Sequence, residues 1–202
     1  MLFLLAVGLV AFVQPVSVTC GSSAVTQSQA VRGPDASTAV FKVSTEDDHA
    51  KDTHLCMADY KLEITHNSDK PRAADLLSSD NDWGRKISIQ LGGFSQDGKK
   101  ILGMFSEGGS APVKQVFEYN TEDDSTRLFD LQKFAASLKP EKCLVNAQIL
   151  GTLESGAIVI ELRSGKNCVR SSQWSLNSVN GPMHHLPRHA AVLPLYSASA
   201  AH

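Results

Sequence analysis

The chain has 202 residues, with 19 basic and 21 acidic side chains and a formal net charge of −2. That length is enough for one domain with a core of its own. Charge near balance, with Lys99-Lys100 as the longest basic cluster, excludes the clustered basic surface on which nucleic-acid binding depends.

Met1 to Val13 is apolar throughout, with a single Gly. It is too short for a membrane span, which takes about 20 residues. It suits the apolar region of a secretory signal, and Ser22-Ser23-Ala24 offers a small-residue cleavage neighbourhood. No Lys or Arg precedes the run, so the terminal amine or a start further upstream supplies the charge. The expectation is a signal peptide over 1–24 and an exported protein, periplasmic or secreted. Contact with a membrane is then expected only through the export signal. The alternative is a lipid anchor at Cys20, but Ser17 and Thr19 fit that pattern poorly.

Export exposes Cys20, Cys56, Cys143 and Cys168 to an oxidising compartment, where cysteine pairs persist. Cys143 and Cys168 flank one β-rich segment and are the expected disulfide. Such a loop closure stabilises by roughly 3–4 kcal/mol in the chain-entropy model. The alternative is that they are small buried hydrophobes. A cut beyond Cys20 leaves Cys56 unpaired. No spacing matches a C-x-x-C motif.

Residues 25–54 are Ser/Thr/Ala-rich and then acidic, which reads as a flexible N-terminal arm, with one short strand possible around Val40, Phe41 and Val43. Tyr60 to Thr65 alternates as a half-buried strand, and Asn67 to Arg72 ends it. Ile87, Ile89 and Leu91 lead into Asp97-Gly98, and Ile101, Gly103 and Phe105 lead back. Asp-Gly between two apolar alternations predicts a hairpin, because Gly takes φ > 0 without steric cost. Lys114 to Asn120 and Thr126 to Leu131 read as strands around an acidic turn. Gln132 to Lys139 has helical spacing in Phe134 and Leu138, and Pro140 stops it. Cys143 to Leu153 and Gly156 to Leu162 form a second hairpin-like pair, with Ala157 to Ile160 buried on both faces. Gln173 to Asn177 follows, then a turn at Asn180-Gly181-Pro182. Residues 191–202 read as a tail.

The fold class predicted is all-β: antiparallel blade-like sheets, as a partial β-propeller or a small β-sandwich, with one short helix near 132–139. The β-repeat domain spans 55–190, with units of about 87–131 and 145–187. Between them Asp97-Gly98 corresponds to Ser155-Gly156, Ile101-Leu102 to Val159-Ile160, Tyr119-Asn120 to Leu176-Asn177 and Leu128 to Leu186. There is room for part of a third unit before Asp82. Four strands per unit is the plan of a propeller blade.

Gly93 to Ile101, which carries Phe94, Asp97 and Gly98, resembles the F-S-P-D-G-K-x-I repeat of TolB-like, WD40-like propellers, with Gln96 where Pro is usual. Trp174 to Leu186, through Gly181, resembles the outer strands of such a blade. The resemblance implies a non-catalytic periplasmic role in protein contacts, in some members beside a hydrolase domain. Closure of a ring takes at least four blades, so open edges here favour pairing with another chain.

Gly-x-Ser-x-Gly, His-Glu-x-x-His, Walker A and Gly-x-Gly-x-x-Gly are absent. His184, His185 and His189 are the residues that would hold a transition metal, although neighbours on a strand point to opposite faces. Asp80, Asn81 and Asp82, or Glu122, Asp123 and Asp124, would offer oxygens to calcium, but both lack the D-x-D-x-D-G pattern. Solvated turns are preferred for all three groups. Trp83 and Trp174 read as packing residues before ligand platforms. No cofactor and no catalytic residue is assigned, and whether the chain is an enzyme stays open, leaning against. The expected role is binding or scaffolding at the cell envelope through a protein partner or self-association. The alternative is a remnant or accessory propeller-type domain of a hydrolase, or a structural secreted protein without a small-molecule ligand.

Overall fold

The structure, a computed structural model, describes residues 15–21, 23–47, 54–66, 70–108, 113–131, 144–164, 172–177, 182–187 and 189–197. It is all-β, as expected. β1 (Val16–Thr19) comes first. β2 (Ala24–Gln27), β3 (Val31–Arg32), β4 (Thr38–Asp47), β5 (Leu55–Thr65) and β6 (Arg72–Asp82) make the first sheet. β7 (Lys86–Phe94), β8 (Lys100–Glu107), β9 (Val113–Asn120) and β10 (Thr126–Asp130) make the middle sheet, to which β1 adds on β7. β11 (Leu144–Thr152), β12 (Ile158–Ser164), β13 (Ser172–Leu176) and β14 (His184–Leu186) make the last sheet, to which β15 (Leu193–Pro194) adds on β11. All pairings are antiparallel.

The middle sheet is buried on both sides. Ile87, Ile89, Leu91, Ile101, Phe105 and Phe117 pack against Ala39, Phe41, Val43, Tyr60 and Leu62 of the first sheet. From the opposite face Leu102, Met104, Val116 and Phe129 pack against Ala147, Ile158, Ile160 and Leu176 of the last sheet. A strand facing a partner on each side must be apolar at consecutive positions, and Ile101-Leu102 and Met104-Phe105 meet that demand. Ala157, Ile158, Val159 and Ile160 are likewise all buried. Gly103 leaves room for the Phe117 ring, which meets Phe41 edge-on at 4.8 Å. Tyr60 and Phe105 stack at 4.5 Å. Each such ring pair is worth about 0.5–1.5 kcal/mol beyond its buried area.

Among the described residues there are three sheets, where two units and room for part of a third were expected. In the first sheet β2 and β3 act as one interrupted strand along β4, which gives the same four-strand meander as β7–β10 and β11–β14. Residues 25–54 are therefore not a flexible arm as far as they are described. Thr38 to Thr45 is poor in large apolar residues, but Ala39, Phe41 and Val43 alternate inward and are fully buried.

The register also corrects the repeat. Ile101 pairs with Tyr119 as Ile158 pairs with Leu176, so Ile101-Leu102 matches Ile158-Val159 and not Val159-Ile160. Leu128 opposite Phe117 matches His185 opposite Trp174, and not Leu186. A slip of one residue exchanges the two faces of a strand, so facing direction decides between the alignments. Tyr119-Asn120 matches Leu176-Asn177 as expected.

The edges that caused concern are partly closed by the chain itself. β1 covers the first half of β7, from Lys86 to Ile89. Beyond it Tyr196 bridges to Phe94, and β15 pairs with Gly151 and Thr152 of β11. Residues 193–196 are thus a strap across two sheets, not a tail. The outer face of the first sheet is polar, with Lys42–Glu63 at 2.6 Å, Lys61–Asp75 at 3.4 Å and Ser78 donating to Asp59. A polar outer face is how a stacked array is capped, although exposed Val25 also lies on this face.

Cys20 is bonded to Cys56, across a sequence separation of 36. The Cys20 sulfur, on which the alternative of a lipid anchor depends, is committed to this bond in the structure. β1 and Cys20 also lie on the folded side of the boundary expected at residue 24. The expected Cys143–Cys168 bond and the helix at 132–139 lie outside the described residues.

Candidate functional site

One hairpin of each sheet reaches the same end of the stack. They are Gly33–Ser37 between β3 and β4, Ser95–Lys99 between β7 and β8, and Leu153–Ala157 between β11 and β12. Each contains a four-residue turn closed by a backbone bond: Ala36 N to Gly33 O at 3.3 Å, Gly98 N to Ser95 O at 2.9 Å, Gly156 N to Leu153 O at 2.8 Å. The residue after each turn corner has positive φ: Ala36 at 65°, Gly98 at 72°, Gly156 at 79°. The Asp97-Gly98 hairpin therefore forms for the reason expected. The copy in the first sheet escaped notice because Ala36 stands where the other two have Gly.

The hairpins touch. A Cβ on Gly98 would lie 3.1 Å from the Pro34 ring, and Lys100 Nζ donates to Gly156 O at 3.1 Å. Gln96 Nε2 donates to Pro194 O, and next to it Tyr196 is 40% exposed. This end carries Asp35, Asp97, Lys99, Glu122, Asp123, Asp124 and His66. The Ser95 hydroxyl, with the Lys99 amide, holds the Asp97 carboxyl below its ordinary range. Ser37 acts in the same way on Asp35, and Ser125 on Asp123. The Glu122 carboxylate, 2.8 Å away, raises the Lys99 ammonium.

One grouping has the residue types of nucleophilic catalysis. Ser37 Oγ donates to Asp35 Oδ1 and lies 2.8 Å from His66 Nδ1. Its roles are wrong for that chemistry. The hydroxyl proton goes to the carboxylate, so Nδ1 is a donor here and not the base a nucleophile needs. Ser37 is also only 1% exposed. The arrangement clamps the β3–β4 hairpin to the end of β5.

Other buried polar groups tie one sheet to the next. Glu107 Oε1 accepts from Tyr60 at 2.6 Å, Ser79 at 2.6 Å and Asn81 at 3.3 Å, joining the middle sheet to the first. Burial, with Glu107 beside it, pushes the Tyr60 phenol far up. Arg72 bonds Tyr119 at 2.9 Å and Asp124 at 2.7 Å across the same interface. Burial and Asp124 push Tyr119 up to about 12. Within the middle sheet buried Glu118 binds both Lys100 and Arg127, and Lys100 in turn donates to Gly156 O of the last sheet. None of these was legible beforehand, because the partners are distant in sequence and unremarkable one by one.

The residues singled out in the sequence do not converge. Phe94 is buried, with its amide and carbonyl bonded to Tyr196 at 2.9 and 2.8 Å. Trp174 donates its indole N–H to Ser172 at 2.8 Å and meets the His185 ring at 5.0 Å. His184 lies on the opposite face of β14, and His189 is in a turn. Asp80 and Asp82 lie on the exposed face of β6, with Asn81 buried between them. Glu122, Asp123 and Asp124 bond separately to Lys99, Ser125 and Arg72. Among the described residues no three His, Cys, Asp or Glu side chains are grouped to hold a metal. Gly181 lies outside the described residues. Compared with protein-family models, curated proteins and solved structures, the chain has no match.

Proposed function

We infer that this is an exported, non-enzymatic β-repeat protein that binds a protein partner at the cell envelope, using the end of the stack where the three hairpins meet. The observation that carries this reading is the continuous surface of those hairpins, one from each sheet, with Tyr196 exposed among them. Large, partly exposed aromatics among polar residues are the usual anchors of protein contacts. The use of the buried titratable groups as ties between sheets supports a non-catalytic role. The Cys20–Cys56 bond supports export, since disulfides persist in oxidising compartments. β1 and residues 193–196 cover parts of the β7 and β11 edges, which lessens the need for self-association there. The blade-like repeat and its TolB-like resemblance remain part of the proposal.

Photocrosslinking in an exporting host tests it. Probes at Gln96 and Tyr196 are expected to give a discrete adduct, and a probe at Lys61, on the capped outer face, none. Equal labelling from all three positions would refute the assigned surface. A second reading, a remnant or accessory domain of a hydrolase, rests only on the residue types of Asp35, Ser37 and His66. Saturable turnover of an ester, peptide or glycoside, lost in Ser37→Ala, would establish that reading in place of the first.

A further inference from the structure

We propose that residues 16–20 belong to the mature protein, so that any cut removing the leader falls on the N-terminal side of Val16. The proposal rests on the export reading above and adds where processing occurs. Three attachments bind this stretch to the fold. Val16, Ser17, Val18 and Thr19 pair in register with Ile89, Ser88, Ile87 and Lys86. Cys20 N donates to Arg85 O at 2.8 Å, and Gly84 N donates to Cys20 O at 2.7 Å. Cys20, itself fully buried, is bonded to Cys56 in β5.

A cut after Ala24 would remove all three attachments at once. β7 would lose its neighbour over four residues, and its unpaired edge would become a site for pairing with other chains. Val16 and Val18, which pack against the core, would leave with β1. Cys56 would remain as a thiol in an apolar interior. The small-residue pairs Ser17/Thr19, Gly21/Ser23 and Ser22/Ala24 all place the cut within or behind β1. A cut on the N-terminal side of Val16 adds water across one peptide bond, leaving a carboxylate on the leader and an amine on the mature chain, and keeps β1 in place.

The test is expression of the full chain with its own leader in an exporting bacterium. Intact mass and N-terminal sequence are read on the exported form, and disulfides are mapped by proteolysis without reduction. The expected result is an N-terminus at or before Val16, with the Cys20 peptide linked to the Cys56 peptide. An exported form beginning between Gly21 and Val25 overturns the proposal and leaves export standing. A chain held in the cytoplasm with free thiols overturns the export reading and this proposal with it, and the compartment tells the two failures apart. As a second variant, Ala24→Leu blocks the downstream site. It is expected to leave the N-terminus unchanged, and a shifted or unprocessed N-terminus in place of a cut near 24 counts against the proposal.

Discussion

Gly93 lies so close beneath the carbonyl oxygen of Tyr196 that no Cβ fits between them. The same relationship recurs in the last sheet, where Gly151 faces the carbonyl of Leu193. Both glycines sit at irregularities of the ladder, after Leu91 and after Ile149, with φ of 139° and 155°. Bulges with Gly are a standard way to let another backbone approach closely. Here two of them, at matching positions in two units, seat the strap formed by residues 193–196.

Gly93→Ala and Gly151→Ala are each expected to destabilise the protein by about 2–4 kcal/mol, from strained φ and overpacking together. Hydrogen exchange at the Phe94 and Tyr196 amides should accelerate more in Gly93→Ala than it does deep in β5. Denaturant unfolding within about 0.5 kcal/mol of the parent would show the strap to be loosely held.

The three matching turns predict effects of opposite sign. Ala36→Gly relieves a left-handed alanine and is expected to stabilise by about 0.5–1 kcal/mol, after the added entropy of the unfolded chain. Gly98→Ala and Gly156→Ala impose the same strain and should each cost about 1 kcal/mol. Thermal melts of the three variants are sufficient. A destabilised Ala36→Gly would contradict the assignment of equivalent turns.

Breaking the Cys20–Cys56 bond is expected to cost about 4 kcal/mol, given its sequence separation of 36. Reduction should lower the urea midpoint, and Cys20→Ser with Cys56→Ser should reproduce the loss without reductant. An unchanged midpoint on complete reduction would mean that β1 is held by its ladder alone.

Two limbs of the pH–stability profile follow from the shifted groups. Asp35 and Asp97 have folded values depressed below 3.8, so their contribution is present above that value and is lost as pH falls through the depressed one. Asp35→Asn and Asp97→Asn should flatten this acid limb. Tyr119 is raised from 10.0 to about 12, so its contribution is complete below 10.0 and is lost as pH rises through about 12. Tyr119→Phe should remove that alkaline step, read by tyrosinate absorbance together with circular dichroism. A step that persists in Tyr119→Phe would assign it elsewhere.

Much of the middle sheet was legible because its signals are local. Asp97-Gly98 specifies its own turn, and alternation in Ile87–Leu91, as in Tyr60–Ile64 of the first sheet, specifies which side is buried. The hairpin clamp of Asp35, Ser37 and His66 was only half visible. Pro34-Asp35 is a turn signal, but the alanine at 36 hides the left-handed position, and His66 arrives from another strand.

The chain's own residues determined an all-β protein with repeated four-strand units, since period-two alternation and turn residues act within a few positions of each other. Only the tertiary structure decided that the part of a third unit is a whole sheet, and that Val16–Thr19 and Leu193–Tyr196 are built into the fold. Those features depend on contacts between distant segments. Val16–Thr19 looks like the end of a leader until β7 offers it an edge, and Leu193–Tyr196 looks like a tail until Gly93 and Gly151 make room for its backbone.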